Sequence, residues 1–150
     1  MNSQASSLVE KSDIQQYIPQ RAPLVMVDEL VQMDEHTTAT RFTPELDNFF
    51  ADNGLFRESG LIEHMAQSAA AGVGYWYKSQ NKEVPLGYIG AVQKFKLEQL
   101  PEANKTLETK IETIHQVMTT KVIKATVSCN EKLIATCEMK IFIDESTIKE

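Results

Sequence analysis

Between Ser59 and about Lys78 the apolar residues recur at helical spacing. Leu61, Met65, Ser68/Ala69, Gly72 and Trp76 form one stripe, and Ile62, Ala66, Ala69, Val73 and Tyr77 form a second beside it. A stripe that wide predicts a helix buried on most of its sides, with Ser59 as its N-cap. Ala69, Ala70, Ala71, Gly72 and Gly74 follow in close succession. The glycines cost helix propensity, but small side chains let a large partner approach closely. A curved sheet is the partner that fits.

The strands for such a sheet flank the helix. Leu24 to Val31 is rich in β-formers and Thr37 to Thr43 alternates after a turn at His36, so the two read as a hairpin. After the helix come Leu86 to Leu97, Leu107 to Val117, Val122 to Cys129 and Leu133 to Ile143. A three-residue loop, Asn130-Glu131-Lys132, would match the core faces of the last two strands. Ile123, Ala125, Val127 and Cys129 would then face Leu133, Ala135, Cys137, Met139, Ile141 and Ile143. In that register Cys129 lies opposite Leu133 and Cys137 opposite Ala125. The sulfurs are then roughly 13 Å apart at the usual strand rise, too far for a disulfide, and core packing is the expectation for both thiols.

The expected class is therefore α+β, with one long central helix wrapped by a curved antiparallel sheet, the hot-dog plan. The 150 residues suit one such domain. Residues 1–12 are expected to be a flexible polar segment and 13–150 the domain, with Asp13 capping a short turn from Ile14 to Ile18 before Pro19. Residues 44–59 read as an irregular loop that tucks Phe49 and Phe50 inward. A sheet of this size has edges to protect, so two protomers paired edge to edge are expected.

The net charge of −6 argues against nucleic acid or a membrane surface as partner, since both select a basic footprint. No apolar run approaches the roughly 20 residues of a membrane span. The opening MNSQASSLVEKSD lacks the regions of a signal peptide, so a cytoplasmic location is expected. No spacing of ligands predicts a metal, and no glycine loop or nucleophile triad predicts a cofactor or covalent catalysis.

Against this background Glu63 stands out, because Leu61, Ile62, Met65 and Ala66 surround it with apolar positions. Gln67 follows one turn later on the same face, with Ala70 and Gly74 beyond. A narrow polar stripe that runs into small residues suggests the mouth and wall of a tunnel. His64 lies about 100° around the helix from Glu63 and faces elsewhere. His36 reads as a solvated turn residue, and His115, on the face of Leu107, Ile111 and Val117, as a packed core or interface residue.

Three segments resemble the 3-hydroxyacyl-acyl-carrier-protein dehydratases. Pro19-Gln20-Arg21-Ala22-Pro23-Leu24-Val25-Met26-Val27-Asp28 is similar to the family's opening. Phe49-Phe50 with Gly60-Leu61-Ile62-Glu63-His64-Met65-Ala66-Gln67 is similar to its loop and central helix, and Tyr88 to Lys96 to the strand that follows. Within that superfamily the chain most resembles the dehydratase-like proteins of aryl-polyene and flexirubin pigment clusters. The resemblance implies a homodimer or a heterodimer with a related hot-dog subunit. It also implies an acyl chain delivered on the phosphopantetheine arm of an acyl carrier protein.

Dehydration of such a thioester removes an α-proton made acidic by the carbonyl and expels hydroxide, which must be protonated as it leaves. Glu63 is the expected catalytic group. Backbone N–H groups at the helix start would polarise the carbonyl, with Gly60 permitting close approach. Gln67, Phe50, Gly90 and Ala91 are the other expected substrate contacts. The family's histidine, three positions after the second phenylalanine, is Asn53 here. Asn53 carries no proton at neutral pH but would orient a hydroxyl or carbonyl.

Three activities remain open to such a chain: a hydro-lyase working through Glu63 with Asn53 or water, a hot-dog thioesterase using one carboxylate and a backbone amide, and a non-catalytic subunit paired with an active dehydratase. Carrier proteins are usually acidic, so docking on this acidic chain would need a local basic patch. Arg57, Lys94 and Lys96 are its candidates.

Overall fold

A computed structural model describes residues 6–148. Its sheet has six antiparallel strands: β1 (Glu29–Met33), β2 (Thr37–Phe42), β5 (Leu86–Leu97), β6 (Leu107–Val117), β7 (Thr120–Cys129) and β8 (Lys132–Asp144). Their spatial order is β1-β2-β6-β7-β8-β5. A small hairpin, β3 (Ala51–Asp52) with β4 (Leu55–Phe56), precedes the helix α1 (Glu58–Ser79). Leu61, Met65 and Ala69 of α1 pack into one core with Leu107, Ile111, Ile123, Ala125, Cys137 and Met139 from the sheet. This is the hot-dog arrangement expected from the helical stripe and the strand runs.

The helix seats closely because three glycines face it onto its neighbours. A Cβ on Gly60 would come within 2.6 Å of Phe50 and of the Phe56 ring, one on Gly72 would strike the Thr38 side chain, and one on Gly74 the carbonyl oxygen of Tyr17. The helix starts two residues earlier than expected, with Arg57 rather than Ser59 as N-cap and no side-chain cap. Ser59 lies inside the first turn, and Glu63 therefore stands on the second.

The first hairpin is shorter than expected, since the ladder begins only at Glu29. Before it, Val9 and Leu30 exchange backbone hydrogen bonds of 3.0 and 3.1 Å, and Val9 is buried. The segment expected to be flexible is thus tied to β1 as early as Val9, and its residues 1–5 lie outside the described residues. Phe50 packs inward while Phe49 is 65% exposed, so one ring of the pair is tucked in and the other is not.

The β7–β8 register is as expected in its middle, with Ala125 opposite Cys137. At the turn it differs. The loop has two residues, Asn130 and Glu131, both at positive φ, as a tight hairpin turn demands. A register shift between Val127 and Ser128 then sets Cys129 opposite Lys132. The bulge turns Leu133 outward, 46% exposed, and Ile134 inward, 1% exposed. Both cysteines are free and buried, and burial pushes the Cys137 thiol up to about 11, so it packs as a protonated side chain against the Met65 sulfur at 3.1 Å.

Two shifts also interrupt β5, between Ile89 and Ala91 and between Gln93 and Lys96. The in–out alternation of a regular strand is therefore broken along β5. Val92 pairs with the inward-facing Met139, and Gln93 with the outward-facing Glu138. His115, next to a further shift on β6, is exposed rather than packed in the core, and His36 is exposed in its turn. No helix among the described residues is long and apolar enough to cross a membrane.

The bulge near the start of β8 makes a stability prediction. Ile134→Ala should cost about 2–4 kcal/mol, as large-to-small core changes do, while Leu133→Ala should stay within about 0.5 kcal/mol. Urea unfolding of the two variants reads the difference, and the opposite order would mean that the strand follows the unbulged register.

Candidate active site around Glu63

Glu63 is half-buried on α1. Its Oε2 accepts a hydrogen bond of 2.8 Å from Nε2 of Gln67. The same Nε2 donates its other hydrogen to the carbonyl of Leu24 at 2.7 Å, and Gln67 Oε1 accepts from the Met26 N–H at 2.6 Å. The amide thus bonds the 24–26 segment as a neighbouring strand would, and so satisfies backbone groups that lie outside any strand. Gln67 is fully buried and all three of these bonds are to protein. It therefore positions Glu63 and does not stand open to a substrate.

His64 completes the hold on Met26. Its Nδ1 lies 2.6 Å from the Met26 carbonyl and its Nε2 2.6 Å from Thr109 Oγ1 on β6. A carbonyl can only accept, so Nδ1 carries the proton. Burial lowers the imidazole's pKa to about 4, so the ring is neutral and Thr109 donates to Nε2. The Phe42 ring stacks on it at 5.4 Å. His64 thus faces away from Glu63, as expected from its helical angle, and joins helix to sheet.

A cavity of about 80 Å³ opens beside α1. Ala66, Ala70 and Val73, one to three turns after Glu63, form one wall, and Gly87 and Ile89 of β5 another. Gln20 also lines it, and its Oε1 is buried without a hydrogen-bond partner. This acceptor went unremarked in the sequence, where Gln20 is one polar residue between prolines and arginine.

The remaining expected contacts are placed differently. Gly60 is buried against Phe50 and Phe56, so its lack of a side chain accommodates rings. On β5 it is Gly87 and Ile89 that line the cavity, whereas Gly90 sits at the bulge over the Phe142 ring and Ala91 pairs with the outward-facing Lys140. Gly74, expected in the tunnel wall, is closed by the Tyr17 backbone. Asn53 occupies the exposed tip of the β3–β4 hairpin at φ 52°, followed by Gly54 at φ 79°. Asn-Gly is the favoured pair for such a turn, and the tip is where the structure puts it.

Of the basic residues, Arg57 pairs with Glu58 at 3.2 Å. Lys94 reaches Glu138 at 3.5 Å, and Lys94, Lys96 and Lys124 line one shallow depression on the sheet.

The ApeP-like family, described as ApeP dehydratase, matches residues 12–149. The chain belongs to this dehydratase family. It is also similar to the 3-hydroxyacyl-[acyl-carrier-protein] dehydratase FabZ of Roseobacter denitrificans, with 29% identity over 107 residues covering 67% of this chain and 70% of that protein. FabZ of Levilactobacillus brevis is 22% identical over 143 residues, 91% of this chain and 95% of that one. Among solved structures, the dehydratase heterocomplex ApeI:P from Xenorhabdus doucetiae superposes with a TM-score of 0.75 at 16% identity, covering 89% of this chain and 93% of that one.

The buried imidazole of this dehydratase gives stability a pH dependence. In the unfolded chain His64 titrates near its ordinary 6.5 and in the fold at about 4. The unfolded state therefore binds the extra proton between those values, and stability should be full above about pH 6.5 and fall as pH drops toward 4, by about 3 kcal/mol. Unfolding curves of the wild type and His64→Gln across that range should differ in slope, and parallel curves would refute the assignment.

Proposed function

We propose that this chain dehydrates a 3-hydroxyacyl thioester carried on acyl carrier protein to the trans-2-enoyl thioester, in fatty-acid or polyene-type biosynthesis. The reading is carried by one observation. Glu63, its carboxyl fixed by Gln67, stands one helical turn before Ala66, which with Ala69 and Ala70 lines an apolar cavity along α1.

The C2–H bond breaks toward Glu63, its electrons form the C2=C3 bond, and the C3–O bond breaks as the departing hydroxyl receives a proton and leaves as water. A single carboxyl can take the first proton and return it to the leaving group. Free N–H groups in the first turn of α1 would polarise the thioester carbonyl. Asn53, at the β3–β4 tip, would orient a hydroxyl brought to it across a subunit interface. The domain is proposed to span residues 13–150 and to work in the cytoplasm.

A second reading draws on Asn53 as well, since a residue at an exposed tip supplies no base beside Glu63 within one protomer. On this reading the chain pairs with a related hot-dog subunit that carries the base. Edge pairing through β5 suits either a homodimer or that heterodimer, because among the described residues only β8 pairs with β5, and Leu86, Tyr88, Ile89 and Val92 are exposed along it.

The test is incubation with a 3-hydroxyacyl carrier-protein thioester, with products followed by mass. Enoyl product lost in Glu63→Gln, by at least about 10²-fold as expected for a general acid–base group, supports the first reading. Enoyl product that appears only after a second hot-dog subunit is added supports the second, and free thiol would indicate a thioesterase. For carrier docking, charge reversal at Lys94 and Lys96 should weaken carrier-protein binding while sparing turnover of a small thioester analogue. Equal loss of both would refute the docking surface.

A further inference from the structure

A lysine stands on the inner face of the sheet. Lys121 is opposite Ile141 in the β7–β8 ladder and two residues before Ile123, and paired and alternate residues share a face. Ile123 and Ile141 are buried in the core, so the half-buried Lys121 side chain is directed toward α1 as theirs are. It lines a second cavity, whose walls also include Ile111, Ile143, Thr38 and, from the last turn of the helix, Trp76. At about 360 Å³ the cavity is within the roughly 300–1,000 Å³ of small-molecule sites.

An ammonium drawn out of water normally has a carboxylate beside it. Among the described residues Lys121 has none, and its ammonium makes neither an ion pair nor a hydrogen bond. Asp34 and Glu35 also line the cavity, but both are exposed at its rim. Asp34 Oδ1 accepts from the N–H groups of His36 and Thr37, each at 2.9 Å, and Glu35 lies 4.0 Å from the His36 ring. Glu145, near the helix end, accepts from the Tyr77 hydroxyl at 3.0 Å. Burial without a counter-charge holds Lys121 below the usual lysine range. A lysine that only laid its stem along apolar surface would keep its head in water and show no such shift.

We propose that this cavity is a binding site for an apolar monocarboxylate, its carboxylate paired with Lys121 and its hydrocarbon body held between Trp76, Ile111 and Ile143. One unpaired cation selects one negative charge. The isoleucines and the indole select an apolar body, and a ring suits it because a ring can lie against Trp76. Such a ligand is a free acid rather than the carrier-bound thioester proposed for Glu63, and the inference is independent of that reading.

Trp76 is the chain's one tryptophan, so its fluorescence reports on the cavity directly. Titration compares phenylbutyrate with phenylbutyramide and phenylbutylamine, which keep the body and change the charge, on the wild type, Lys121→Met and Lys121→Arg. Thermal melting confirms that each variant is folded. The wild type should bind the acid about 10- to 100-fold more tightly than the amide, as a hydrogen bond to a charged group allows, and the amine most weakly. Lys121→Met keeps the apolar stem and removes the charge, so it should lose the preference for the acid while its affinity for the amide stays within about twofold. Lys121→Arg should retain the preference. Equal affinity of the wild type for acid and amide would mean a hydrocarbon pocket without charge selection and overturn the proposal. So would a preference for the acid that survives in Lys121→Met, or fluorescence that none of the three compounds changes.

Discussion

The peptide of Met26 is gripped by two side chains of the central helix, its N–H by Gln67 and its carbonyl by His64. Neither group has a strand neighbour to bond, and a backbone pair buried without partners would cost about 1–3 kcal/mol for each group. The helix therefore supplies what a further strand would have supplied. Because Gln67 spends its remaining hydrogen on Glu63, the path of the chain before β1 and the aim of the carboxyl belong to one hydrogen-bond system. Thr109 extends that system to the middle of the sheet.

The helix is fixed in space by contacts of a different kind. Gly60, Gly72 and Gly74 bring it down onto rings, a threonine and a backbone carbonyl with no room to spare. The alanines between them do the reverse. Where Ala66, Ala69 and Ala70 face Pro19, Gly87 and Ile89, the walls stand apart and space is left. One run of small residues thus does two jobs: its glycines close gaps that set the helix position, and its alanines border gaps that a ligand can use.

Much of this was legible in the sequence because periodicity reports which face is buried. The helix span, the four long strands and the Ala125–Cys137 pairing follow from it directly. Bulges do not appear in that signal. Leu133 and Ile134 are neighbours of similar character, and nothing in their order says that the second points inward; the two-residue turn at Asn130 and Glu131 decides it. Gly90 and Ala91 were displaced from the cavity wall by the same kind of shift in β5. Glu63 could be singled out because a charge among apolar positions is conspicuous. The roles of Gln67 and His64 could not, because their partners on other elements are 38 to 45 residues away in sequence and only the folded chain brings them within reach. Asn53 carries two readings at once: resemblance to a family's loop gives it a chemical task, while Asn followed by Gly is also what a tight hairpin requires.

The sheet's two margins are unlike. On the β1 side, Val9 takes up the outward hydrogen bonds of Leu30, whereas β5 has twelve residues and, among the described residues, a neighbour on one side only. A chain with an open margin on each side can add copies without end, as fibrils do. A chain with one open margin behaves like a monofunctional reagent: joining two consumes both reactive ends, and growth stops at the pair. If protomers pair through β5, as proposed, the Val9 bridge on the β1 margin would bear on stoichiometry, making a twofold assembly the end point of edge pairing rather than its first step.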